Sequence, residues 1–188
     1  MKALKLTKKK SKQIEKFALN YYKKLDQTHG LEHAKRTVKL AEYLAKKEGA
    51  ELQIVRLGAL LHQFHNGKVV ERFLRKIKVD KEIKNQLVHC VECSWSTNIH
   101  KAKTIEAKVV YDADKLQVIG PFGIIREISC DSGPRKMSFR EAIKHTRATS
   151  QRLYNTLQTK TAKKLAKDPY QFILKFWKIF DKWDKAKL

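Results

Sequence analysis

Seven histidines and a close pair of aspartates carry most of the chemistry legible in this 188-residue sequence. His29 and His33 stand four residues apart and His62 and His65 three apart, spacings that put each pair on one side of a helical turn. Taken singly, a histidine reads first as a satisfied core or surface residue. His62 resists that reading, because it ends the apolar run Leu57-Gly58-Ala59-Leu60-Leu61. An imidazole taken out of water needs a partner for each ring nitrogen, and a metal or a carboxylate supplies one. Asp112 and Asp114 sit in the run VVYDADKL, between apolar groups on both sides. On a helix they point about 200° apart, so only one of them can face a pocket. Capping, or pairing with one of the many lysines, is the ordinary alternative use for either. Cys90-Val-Glu-Cys93 beside His89 has the look of half a zinc knuckle, but no second cysteine pair follows at a suitable spacing.

These residues need helices to position them. With seven Gly and three Pro there are few turn signals, which argues for long helices and against an all-β fold. From Ser11, apolar residues at Ile14, Phe17, Ala18, Tyr21 and Leu25 follow a helical rhythm, after a loose basic lead-in over residues 1–10. The pattern predicts further helices over 31–48, stopped by Gly49, and over 51–64, the latter apolar enough to lie in the core. Shorter helices follow over 69–78 and 81–93, then a loop over 94–103 and a helix over 104–119. Residues 131–134 read as a loop, and Ser138-Phe-Arg-Glu141 as a capping box opening a helix that runs to Leu157. A last helix covers 161–183; its Phe176, Trp177, Phe180 and Trp183 read as packing aromatics rather than a base-stacking platform. At 42% hydrophobic residues the chain is globular, and its length suits one all-α domain.

In order along the chain, four segments resemble the HD superfamily. His29-Gly-Leu-Glu-His33-Ala-Lys-Arg36-Thr-Val38 is similar to its HxxxHxxRV opening, and Leu60-Leu61-His62-Gln63 to its LLHD signature. Asp112-Ala-Asp114-Lys-Leu116, with Gly120-Pro-Phe-Gly123-Ile-Ile-Arg126 behind it, resembles the DADRLDAIGAxGIxR stretch of the small stand-alone HD phosphohydrolases. The segment from Leu157 to Ala166, with Phe172 and Phe176, resembles their C-terminal helices. The resemblance implies a single HD-type helical bundle holding divalent metal, with His33, His62 and Asp114 as ligands and position 63 beside them. Two imidazoles and a carboxylate suit Mn, Fe, Co, Ni or Zn better than Mg alone. It also implies Arg36, Lys68, Lys115 and Arg126 as candidates to hold a phosphate, and a phosphorylated small molecule or nucleotide as substrate.

The departures from that pattern fall at the site. Gln63 replaces the Asp of the family's name, Asn66 and Gln117 replace two further acids, and Cys93 stands where a histidine is expected. A neutral amide is a poorer ligand than a carboxylate. Two readings follow. Either the three remaining ligands still hold a metal, with His65, His89 or Cys93 compensating and with His65, His89 and Lys115 as the catalytic groups. Or catalysis is lost, and the pocket survives as a nucleotide- or nucleic-acid-binding module. The charge bears on both: 42 Lys plus Arg against 19 Asp plus Glu, a formal +23, attracts polyanions, nucleic acid among them, although a solvated lysine-rich exterior is the alternative. Three cysteines form no disulfide framework, the apolar runs are shorter than the roughly 20 residues a bilayer needs, and no secretory signal opens the chain. A soluble cytoplasmic protein of unassigned oligomeric state is the expectation.

Overall fold

The structure, a computed structural model, describes residues 6–186. Among the described residues there are nine α-helices and no strand, so the chain is all-α: α1 Lys8–Tyr22, α2 Leu31–Glu48, α3 Leu52–Leu61, α4 Gly67–Lys76, α5 Lys81–Glu92, α6 Ile105–Lys115, α7 Pro121–Ser132, α8 Phe139–Thr156 and α9 Lys160–Asp184. They fall into two compact units, residues 1–114 and 115–188.

In the first unit α3 is the central rod, with α1, α2 and α5 packed on it. Its residues Ile54, Val55 and Leu57 through Leu61 are all buried, as the apolar run requires. Gly58 lets α5 and α6 come close: a Cβ there would stand 3.0 Å from Cys90 Cβ and 3.1 Å from Val110 Cγ2. At the end of α3 the chain tightens into a 3-10 turn, His62–Phe64. A stack of aromatics anchors that turn, with Tyr21 and Phe64 centroids 4.2 Å apart, Phe17 and Phe64 4.7 Å, and Phe17 and Phe73 3.9 Å. The connection from α1 to α2 is held by Asp26, whose carboxylate accepts from the backbone N–H of Thr28 (2.8 Å) and of His29 (3.2 Å).

Several boundaries differ from the periodicity. The first helix starts at Lys8, three residues early, because the Thr7 hydroxyl caps it by accepting from Lys10 N–H. The Leu6 N–H donates to Gln53 Oε1, so residues 6–10 are not the loose lead-in expected, and residues 1–5 lie outside the described residues. Asn66 caps α4 by accepting from Lys68 N–H at 3.0 Å, which starts that helix at Gly67.

The second unit contains α7, α8 and α9. Close packing at its start depends on Gly123, where a Cβ would fall 2.2 Å from the Val118 carbonyl carbon. Helix α7 runs through Ser132, so Asp131 is a helix residue and fully buried, where its dipeptide neighbours Gly133-Pro134 suggested a loop. The predicted capping box is formed: Glu141 N–H donates to Ser138 Oγ, and Ser138 N–H donates to Glu141 Oε2 at 2.9 Å. Tyr154 of α8 stacks on Tyr170 of α9 at 3.8 Å, and Arg147 pairs in a fork with Asp181 at 2.7 and 3.2 Å.

Candidate metal centre

Three helices of the first unit each deliver one ligand atom to a common point. His33 stands one turn into α2, His62 just past the end of α3, and Asp114 near the end of α6. His33 Nε2 lies 3.1 Å from His62 Nε2 and 3.4 Å from Asp114 Oδ1, and His62 Nε2 lies 3.7 Å from the same oxygen. Both imidazoles are fully buried, and Asp114 is nearly so. A carboxylate held this far from water is costly unless hydrogen-bond donors or a cation answer it.

The proton on His62 is placed by its surroundings. Its Nδ1 is 2.7 Å from the Ala59 carbonyl oxygen, and a carbonyl can only accept, so the ring hydrogen sits on Nδ1. That leaves the Nε2 lone pair aimed at His33 and Asp114, the tautomer a metal ligand needs. The Tyr22 hydroxyl approaches the same Nδ1 at 3.3 Å. Burial first, and then the charge of Asp114, push the Tyr22 phenol far above its ordinary range, so it stays a neutral hydroxyl. Ser94 Oγ secures the backbone of the turn by donating to the His62 carbonyl at 3.2 Å.

The donor set fits a divalent transition metal. Nitrogen and oxygen ligands about 2.0–2.2 Å from one ion, at angles of about 90–109°, stand about 2.8–3.6 Å apart. The separations of 3.1, 3.4 and 3.7 Å match that range to within about 0.1 Å. Among the described residues His33, His62 and Asp114 form a cluster able to hold an ion.

The other residues singled out from the sequence are placed variously. Gln63 is buried directly beside His62 in the 3-10 turn. His65 follows in the left-handed conformation (φ 54°), and its ring packs at 4.0 Å on Trp95. His89 is engaged elsewhere, its Nε2 accepting from Lys103 N–H at 3.0 Å while Cys93 Sγ lies 3.7 Å from its Nδ1. Burial, then the charge of Glu92, raise the Cys93 thiol, which makes it a poor source of thiolate. Arg36 stands one turn after His33 on α2, partly exposed, and Lys68 is exposed in the first turn of α4. Lys115 is the last residue of α6. Arg126, in the second unit, is buried and faces Glu127 at 3.6 Å.

A second group of potential ligands went unnoticed in the sequence: Glu127, Asp131 and His145, all in the second unit. Here cations already answer the acids. Arg135 Nη1 lies 2.6 Å from Asp131 Oδ1 and 3.8 Å from Glu127 Oε2, and His145 Nδ1 lies 2.9 Å from Asp131 Oδ2. Thr146 Oγ1 also donates to that oxygen. The acids are buried and their partners half-exposed, and the hydrogen bonds of Asp131 tie α7 to α8. Only the four-residue spacing of Asp131 and Arg135 hinted at it.

The fold agrees with known proteins. The HD domain family profile matches residues 30–119, which contain all three ligands. YpgQ of Bacillus subtilis strain 168 is 29% identical over 171 residues, 82% of this chain and 83% of YpgQ. The crystal structure of YpgQ in complex with ADP is similar with a TM-score of 0.74 at 27% identity, over 93% of this chain and 94% of that one. A Lactobacillus plantarum protein shares the fold with a TM-score of 0.82 at 24% identity, over 97% and 100% of the two chains. An HD-superfamily hydrolase from Bacillus thuringiensis shares it with a TM-score of 0.73 at 23% identity, over 95% and 98%. Residues 30–119 carry the HD domain, and the chain shares its fold with HD-superfamily proteins.

Proposed function

We propose that this protein is a metal-dependent phosphohydrolase acting on a nucleotide or another small phosphate ester. The observation that carries the reading is the convergence of three buried ligand atoms, with the His62 proton already held on the far side of the ring. A divalent ion bound by His33, His62 and Asp114 would supply Lewis-acid stabilisation of a phosphoryl oxygen and make water more acidic. Mn, Fe, Co, Ni or Zn suits two imidazoles and one carboxylate. The Ala59 carbonyl keeps the proton on His62 Nδ1 and so keeps Nε2 available. Arg36, one turn from His33, and the exposed Lys68 would offer cations to a phosphate. His65 is the candidate for proton transfer; the ring of His89 is committed to Lys103 and Cys93. That YpgQ has been crystallised with ADP supports a nucleotide as the ligand class.

The buried amide of Gln63 favours a second reading, in which the pocket binds a nucleotide without cleaving it. Elemental analysis of the purified protein, with hydrolysis assays on nucleoside di- and triphosphates in Mn, Co and Ni, separates the two. Expected are about one ion per chain and turnover that His62→Ala abolishes. Metal-free protein that binds ADP without turnover would overturn the phosphohydrolase reading. The formal +23 extends the proposal to nucleic acid as a further partner, whose binding would weaken steeply with salt.

A further inference from the structure

The last helix carries apolar residues that the fold leaves in water. Ala162, Ala166, Ile173 and Trp177 face the interior of the second unit. Beside that face, Leu165, Phe172, Phe176, Ile179 and Trp183 follow one another at spacings of seven, four, three and four residues. At 100° per residue they fall within an arc of about 60°, a single stripe along the helix. Phe172, Ile179 and Trp183 are 44%, 47% and 69% exposed, and Leu165 is exposed as well. Phe176 lies between Phe172 and Phe180 with ring centroids 6.3 Å from each. Trp183 is thus a surface residue and not the packing aromatic expected of it.

A second feature adjoins the stripe. Lys160, Lys164, Lys167, Lys175, Lys178 and Lys182 are exposed and fall within an arc of about 80° next to it. None of the six makes an ion pair among the described residues. Two of the three acids of α9 are committed elsewhere, Asp181 to Arg147 and Asp184 to Arg140. The third acid, Asp168, is exposed at the border of the two, so the helix surface combines a tryptophan- and phenylalanine-bearing apolar stripe with a row of six lysines answered by a single acid.

We propose that this face of α9 lies on lipid bilayers rich in anionic headgroups. Aromatic and aliphatic side chains would enter the headgroup–acyl boundary, and the lysines would reach the phosphates beside them. The charge pattern selects this occupant. In an antiparallel two-fold contact with a second copy, the lysine rows of both chains would be brought together, and in a parallel one each row would be left in water beside the stripe. A nucleic acid would use the lysines and rings but leave Leu165 and Ile179 in water. An anionic bilayer answers both halves of the surface. The helix lies on the membrane and does not cross it: no helix among the described residues is long and apolar enough to span one.

Vesicle flotation of the full chain tests this, comparing pure phosphatidylcholine with phosphatidylcholine containing roughly one-third phosphatidylglycerol. The chain should float with the anionic vesicles and not with the neutral ones. The surface variants Phe172→Glu with Trp183→Glu, and Lys175→Glu with Lys178→Glu and Lys182→Glu, should each weaken flotation at least about tenfold with unchanged helical circular dichroism. Equal binding to both vesicles, or undiminished flotation of the Phe172→Glu/Trp183→Glu pair, would overturn the proposal. So would a wild-type dimer in sedimentation velocity that this pair dissociates, or an RNA oligonucleotide whose binding the pair abolishes while flotation persists.

Discussion

At the scale of single residues the centre depends on which ring nitrogen of His62 carries the proton and on the neutral side chain next to it. Restoring a carboxylate at the neighbouring position, Gln63→Asp, should raise affinity for Mn or Co at least about tenfold, because an anionic oxygen binds a hard cation better than an amide. Isothermal titration of the metal-free protein measures this, and an unchanged affinity would place residue 63 outside the coordination sphere. His33, His62 and Asp114 were legible together only through the resemblance; the cost of burial pointed to His62 and did not separate Asp114 from Asp112. Tyr22 and the Ala59 carbonyl were not. A backbone oxygen has no sequence signature, and nothing in a tyrosine of α1 says that it will meet a residue 40 positions away. Asn66 looked like a weakened ligand, and in the structure it caps α4.

Among the elements, stability resides in short polar devices at helix ends. Burial alone would raise the Asp26 carboxyl, but hydrogen bonds from Thr28 and His29 outweigh it and bring it down to about 2, from an ordinary 3.8. A carboxyl depressed on folding contributes stability above its unfolded value and loses it as the pH falls through the folded one. The stability advantage of the native protein over Asp26→Asn should therefore shrink by about 1–2 kcal/mol between about pH 4 and pH 2, a figure discounted for the partial exposure of the carboxylate. Urea midpoints at the two pH values read it directly. Ser138→Ala removes one half of the capping box of α8 and should cost about 1 kcal/mol, lowering Tm by about 2–4 °C. That box was visible in Ser138-Phe-Arg-Glu141, because capping is a local rule. The ends of α3 and α6 were misjudged for the opposite reason: the tightening into 3-10 turns at His62 and Leu116 is imposed by packing partners distant in sequence.

For the whole molecule, metal should act as a folding ligand. A metal bound to the native chain at about 100 times its Kd stabilises by about 2.7 kcal/mol, so Mn or Co should raise Tm measurably in the native sequence and not in Asp114→Asn, whose shape is nearly the same. Thermal unfolding followed by circular dichroism, with and without metal, makes the comparison; an equal rise in the variant would remove Asp114 from the ligand set. The sequence by itself determined that the chain is helical and strongly basic, through composition and periodicity. Its resemblance to HD proteins, and with it the three side chains to watch, rests on four short segments in the family's order, which can be read without knowing the neighbours. Only the tertiary structure decided that the three candidate ligands come within 3.7 Å of one another, that His62 carries its proton on Nδ1, that Asp131 is buried and paired with Arg135, and that Trp183 stays in water. Those outcomes depend on contacts between residues far apart in the chain, and helical periodicity says which face a residue shares but not what that face will meet.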